Sequence, residues 1–256
     1  MELTEKHVEG LKNLLFRMAD DQLIIGHRHS EWTGMGPILE EDIAFSSMAQ
    51  DKIGQSNALF DILHQLGEQE PDIVAFTRNE KNFYCCHLVE MPNAGYDFSL
   101  MRHFLYSHAE AVRFNMLANT IFEPLAMVAR KFKGEIKYHT MHADTWIKQL
   151  GKGDETSHAR MQSALNEAFP LALGIFEQAG FENELKESGI FAGEEAIQAL
   201  WLKAIEPVLT AANLRMPDLN ATTPAFGGRK GYHTEFLQPL LDEMCEVFRI
   251  DPAAEW

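Results

Sequence analysis

GEIKYHTMHADTW, residues 134–146, places Glu135, His139, His142 and Trp146 at intervals of four, three and four. Residues three and four apart share one face of an α-helix, so this spacing turns two imidazoles and a carboxylate toward the inside of a helical bundle. Such a face is half of a metal site. A carboxylate-bridged di-iron centre in a four-helix bundle takes a Glu from each of two helices and a Glu-x-x-His pair from each of the other two. The chain contains one Glu-x-x-His, Glu155 to His158, and it lies beside Gly151 and Gly153 at a helix start. Further carboxylates are offered by Asp51, Glu110, Glu123 and Glu155, none of the first three opening a Glu-x-x-His. Glu135, His139 and His142 therefore read either as metal ligands or as polar residues satisfied within a core or an interface.

Working outward, helix formers dominate, β-branched residues are scattered and apolar residues do not alternate with polar ones, which predicts an all-α fold. A first helix starts after Thr4 and runs to the Asp20-Asp21 region, followed by a structured connection through IIGHRHSEWTGMGP. A second spans Ile38 to Leu66, with Glu41, Met48, Asp51, Gln55 and Leu59 on its inner face; Glu41 and Asp51, about 15 Å apart along the helix, cannot serve one metal pair. Pro71 opens a helical segment that stops near Met91. A long helix covers Phe98 to Arg130, kinked at Pro124, and Gly134 separates it from the Glu135 helix. Further helices cover Glu155 to about Ala179, Glu194 to Ala212, and His233 to Phe248. No repeat or low-complexity linker interrupts the chain, so residues 1–256 are expected to form a single domain.

At 256 residues the chain can bury roughly 70% of its unfolded surface, enough for a full core. Lys and Arg total 22 against 38 Asp and Glu, and the net charge of −16 opposes binding to a nucleic-acid backbone. Cys85, Cys86 and Cys245 make an odd set with no apolar signal segment ahead of them, which points to reducing cytoplasm. No run of about 18 apolar residues predicts a membrane span. Nucleophile-elbow, phosphate-loop and C-x-x-C motifs are missing. The His27 to Trp32 run and the His103/His108 pair give weak catalytic signals, since neither has a spacing that converges. Gly227-Gly228-Arg229-Lys230-Gly231 offers two cations before the last helix, suited to an anion or to an ordinary interhelical loop.

The ordered segments IIGHRHSEWTGMGPILEEDIA (24–44), KIGQSNALF (52–60), LVEMPNAGYDFSLMRHFLY (88–106), KYHTMHADTWIKQLGKG (137–153) and GGRKGYHTEFLQPLLDEMCEVFRIDPAAEW (227–256) span nearly the whole chain. Together they resemble the non-catalytic, ferritin-like subunit of bacterial phenylacetyl-CoA epoxidase, a multicomponent ring epoxidase. The resemblance implies a ferritin-like four-helix bundle with additional helices and a structural role in phenylacetate breakdown. It implies pairing with a catalytic homologue that carries the di-iron centre, electrons from a reductase component, and no cofactor in this chain. His29 and Met91 depart from the family pattern, which has a small apolar residue and a Gln there. Trp32, Arg102, Trp146 and Arg229 are the candidate interface residues, because Trp and Arg are enriched at binding hot spots. Arg229 and Lys230 are the candidate contacts to a CoA ester or other anion, and a homodimer is expected when the chain is made alone. The alternative is an oxygenase in its own right, di-iron or mononuclear, built on Glu135, His139 and His142.

Overall fold

The computed structural model describes residues 3–252 and 254. Eleven α-helices and short 3₁₀ turns account for the regular structure among them, and no strand occurs. The longest are α1 (Glu5–Ser30) and α2 (Leu39–Gln65), which pack along each other, and α5 (Tyr96–Leu117) and α7 (Lys133–Gly151), which form the facing pair. Helices α8 (Glu155–Leu173) and α10 (Glu194–Ala211) cover the outer side of α5 and α7. The shorter helices are α3 (Pro71–Thr77), α4 (His87–Glu90), α6 (Glu123–Lys131), α9 (Glu182–Glu187) and α11 (Leu237–Ile250). A continuous apolar cluster runs from Leu11 in α1 to Leu241 in α11. No helix among the described residues is long and apolar enough to cross a membrane.

Local chemistry explains where the helices begin and end, and where the expected bounds were wrong. Thr4 caps α1, its hydroxyl accepting from the His7 amide at 3.3 Å. The helix does not stop at Asp21 but continues through IIGHRHS to Ser30. Gly26 is not a breaker here: a Cβ at that position would lie 3.1 Å from the Lys52 Cβ and 3.3 Å from the Ala49 carbonyl oxygen, so glycine lets α1 and α2 approach closely. The segment after Pro71 is not one helix but α3, a 3₁₀ turn and α4. Pro124 is not a kink either; α5 ends at Leu117 and Pro124 sits in the first turn of α6, where a missing N–H costs nothing. Gly134 lies inside α7, α8 ends at Leu173, and α9 forms between the helices expected to end near Ala179 and to start at Glu194. The last helix starts at Leu237 rather than His233, because His233 and Thr234 are engaged with Glu90.

Two buried acids on α1 anchor the irregular segments. Asp20 accepts from Arg78 at 2.5 and 3.1 Å and from the Tyr84 amide at 2.8 Å. Asp21 accepts from Arg229 at 2.8 and 2.7 Å and from the Cys86 amide at 2.8 Å. Arg229 also donates to the carbonyls of Tyr84 and Ile175 at 2.9 and 3.0 Å, and Asp21 holds its guanidinium firmly charged against the cost of burial. The adjacent Gly228 is required by a close approach, since a Cβ there would lie 2.2 Å from the Cys85 carbonyl oxygen. The GGRKG loop is therefore a staple between the chain's end and α1. Cys85, Cys86 and Cys245 are all free and buried.

Candidate functional site

The inner faces of α1, α2, α5 and α7 meet in a polar layer inside the bundle. Its centre is Lys52 of α2, fully buried, whose ammonium contacts a Glu110 Oε2 from α5. The other Glu110 oxygen accepts from the Gln22 amide of α1. Gln55, one turn after Lys52, turns its carbonyl toward the ammonium at 3.5 Å and its NH₂ toward Glu135 of α7 at 3.0 Å. Burial pulls the Lys52 pKa down while the Glu110 carboxylate opposes that pull. Burial also raises Glu135, more than its bond from Gln55 lowers it.

The two histidines of α7 reach across to α2 rather than to a common point. His139 Nε2 meets Asp51 at 3.0 Å, and His142 Nε2 lies 3.1 Å from both oxygens of Glu41. The Tyr96 hydroxyl donates to Glu41 at 2.6 Å. Burial acts to raise Glu41, but the bonds from His142 and Tyr96 outweigh it and hold the carboxyl below its ordinary value. Beside them lie His29 of α1 and His103 of α5, both fully buried, with ring centroids 5.2 Å apart in an edge-on arrangement. His103 Nδ1 meets the Ser107 hydroxyl at 3.2 Å, while neither ring nitrogen of His29 meets a hydrogen-bond partner among the described residues. Burial, followed by nearby positive charge, pushes both imidazoles well below their ordinary pKa, so both are neutral near pH 7.

This layer can be compared position by position with the ligand pattern of a carboxylate-bridged bundle. Gln22 of α1 and Glu110 of α5 stand as the two single residues, while Lys52/Gln55 of α2 and His139/His142 of α7 stand as the two pairs spaced three apart. Of the six ligand types, only Glu110 and His142 remain. A neutral amide replaces one carboxylate, an imidazole another, and a primary ammonium a third. Divalent iron favours carboxylate and imidazole donors, and an ammonium has no lone pair to give. The residues present do not fit a di-iron centre, because a fixed cation already neutralises the one carboxylate left at those four positions. Glu135, His139 and His142 do share a helix face as expected, but each is spent on a separate partner, Gln55, Asp51 and Glu41.

Two of the other expected site residues, both arginines, are buried where an exposed position was expected. Arg102 is fully buried, donating to the Met91 carbonyl at 2.5 Å and to Asn93, and burial lowers its pKa to about 9. Arg229 is buried in its pair with Asp21, so neither arginine is free to meet a partner or a CoA ester from the surface. Lys230 is exposed, 3.0 Å from Glu177. Trp32 and Trp146 are half-buried and flank Tyr96, with centroids 5.7 and 6.5 Å from its ring. Glu155 and His158 sit at the start of α8, where His158 Nδ1 meets the Gly151 carbonyl at 2.8 Å. Sequence reasoning missed Gln22, Lys52, His29 and His103 as members of the layer; the matching three-residue spacing of Lys52/Gln55 and His139/His142 was the available signal.

A second buried group joins the segment between α3 and α4 to the one just before α11. Cys85, Glu90 and His233 converge, with His233 Nδ1 2.7 Å from Glu90 and its Nε2 2.9 Å from the Phe83 carbonyl oxygen. Burial would lower the His233 pKa, but Glu90 outweighs it and raises the imidazole, giving an internally paired cluster.

Against known proteins, the family model described as "Phenylacetic acid catabolic protein" matches residues 1–256. The chain is 31% identical over 241 residues to a subunit of the 1,2-phenylacetyl-CoA epoxidase of Escherichia coli (strain K12), an alignment covering 94% of this chain and 96% of that protein. A family match over its full length and a relative aligned over most of both chains establish that this chain belongs to the phenylacetic acid catabolic protein family.

Proposed function

We propose that this chain is the structural, non-catalytic subunit of a multicomponent di-iron monooxygenase that epoxidises phenylacetyl-CoA. The observation that carries this reading is the Lys52–Glu110 pair, which puts a protein cation where a catalytic bundle needs ligands. The iron belongs to a homologous catalytic subunit, and a reductase component supplies the electrons. This chain folds as a single cytoplasmic domain that pairs with and stabilises the catalytic homologue. It carries no nucleic-acid or membrane function.

The surface over the polar layer suits such a partner. Leu39 and Ile43 of α2 and Tyr138 and Met141 of α7 are exposed on either side of the Glu41–His142 contact, with Met35 in the preceding loop also open to solvent. Large exposed apolar side chains on two adjacent helices are typical of a permanent helix–helix interface, with half-buried Trp32 and Trp146 as candidate anchors beside it. On this reading the catalytic homologue covers α2 and α7, and a second copy of this chain takes the same place when it is made alone.

Co-expression with the catalytic homologue, size-exclusion chromatography and a phenylacetyl-CoA turnover assay test the assignment. Activity is expected only in the co-purified complex, and an Ile43→Glu/Met141→Glu double variant is expected to elute apart from the partner while keeping its helical dichroism. Full turnover by this chain without the homologue would refute the structural role.

A further inference from the structure

A groove of about 470 Å³ is bounded by α5, α6, α7 and α10. Its walls are mainly apolar: Ala111, Val112 and Phe114 of α5, Ile136 of α7, and Leu200 and Ala204 of α10. Two further alanines, Ala118 and Ala129, also line it, and Leu200 leaves 44% of its surface open on one wall. Lys133 and Lys137, one helical turn apart on α7, stand at its edge. No Asp or Glu lines the groove, and neither lysine is within ion-pair distance of a carboxylate among the described residues. The other titratable residue in the lining, His108, is held from outside by Asp144 at 2.8 Å.

Like charges one turn apart on a helix repel, so two unpaired ammonium groups at this spacing favour a shared anion between them. In a chain of net charge −16 such a spot is locally distinct. The volume falls within the range of small-molecule sites, roughly 300–1,000 Å³, which selects a compact ligand over a partner helix. We propose that this groove binds a small amphipathic carboxylate, with its apolar body against Val112, Ile136 and Leu200 and its carboxylate between Lys133 and Lys137. This site shares no residue with the polar layer or the proposed partner surface, so it stands independently of the role in the complex.

Calorimetric titration of the full chain with octanoate, and with octanamide as its neutral match, tests the proposal. Octanoate is expected to bind saturably and octanamide about tenfold more weakly, as two lost ion pairs would give. Lys133→Gln/Lys137→Gln should lose that tenfold preference, and Leu200→Asp should lose octanoate binding. All three substitutions lie at exposed positions, so an unchanged dichroism spectrum separates ligand loss from misfolding. Absence of saturable octanoate binding, or equal binding by the lysine double variant, would overturn the proposal.

Discussion

Lys52→Met is expected to destabilise the chain by about 3–5 kcal/mol, whereas Lys52→Met combined with Glu110→Gln should recover most of that loss. The single change leaves Glu110 buried with only the Gln22 amide to hold its charge. Its carboxylate must then ionise without a counter-charge or take up a proton. The double variant removes both charges, and a methionine fits the space of the lysine stem at little packing cost. Urea unfolding of the two single variants and the double variant forms a complete cycle, and the coupling should reach about 2 kcal/mol or more. Strictly additive effects would show that Lys52 does not neutralise Glu110.

Acidification should weaken the fold steeply, by roughly 3 kcal/mol from His29 and His103 alone between about pH 7.5 and about pH 5.5. Both have folded pKa values well below the ordinary 6.5, set first by burial and then by the repulsion a proton would meet from neighbouring groups when those are charged: Arg102, Lys52, His139 and His142 around His29, and His29, His142, His139 and Lys52 around His103. Below pH 6.5 the unfolded chain takes up protons that the folded chain excludes, and each such histidine costs about 1.4 kcal/mol per pH unit. His139 acts with the same sign, since burial lowers it more than Asp51 raises it. His233 acts with the opposite sign. Its folded pKa is raised, so its contribution is complete below 6.5 and fades as pH rises through the folded value, partly offsetting the loss. Thermal unfolding across this range should show a flatter profile for His29→Leu/His103→Leu than for the native sequence. Parallel profiles would mean that these imidazoles are not the groups being titrated.

The helices that were legible in the sequence are those whose ends carry local signals. Glu40 to Asp42 open α2, Asp154 caps α8 and Gly193 precedes α10, and each of these starts lies within a residue of expectation. What was not legible depends on contacts far along the chain. The IIGHRHS run around Gly26 reads as a connection until α2 is seen lying against it, and Arg229 reads as a free cation until Asp21, more than two hundred residues earlier, is placed beside it. The polar layer was visible only in part for the same reason. The α7 face announced itself through its histidines, whereas Lys52 and Gln22 look like ordinary helix residues until Glu110 is set between them.

The central claim is that this bundle keeps the frame of a carboxylate-bridged metal site with its charge already balanced by protein side chains. Elemental analysis of the purified chain after anaerobic loading with ferrous iron tests it most directly. The account predicts no stoichiometric iron, while the catalytic homologue treated alike retains its pair. Two tightly held irons per chain, lost on His139→Ala or His142→Ala, would contradict it and make this chain an oxygenase subunit in its own right.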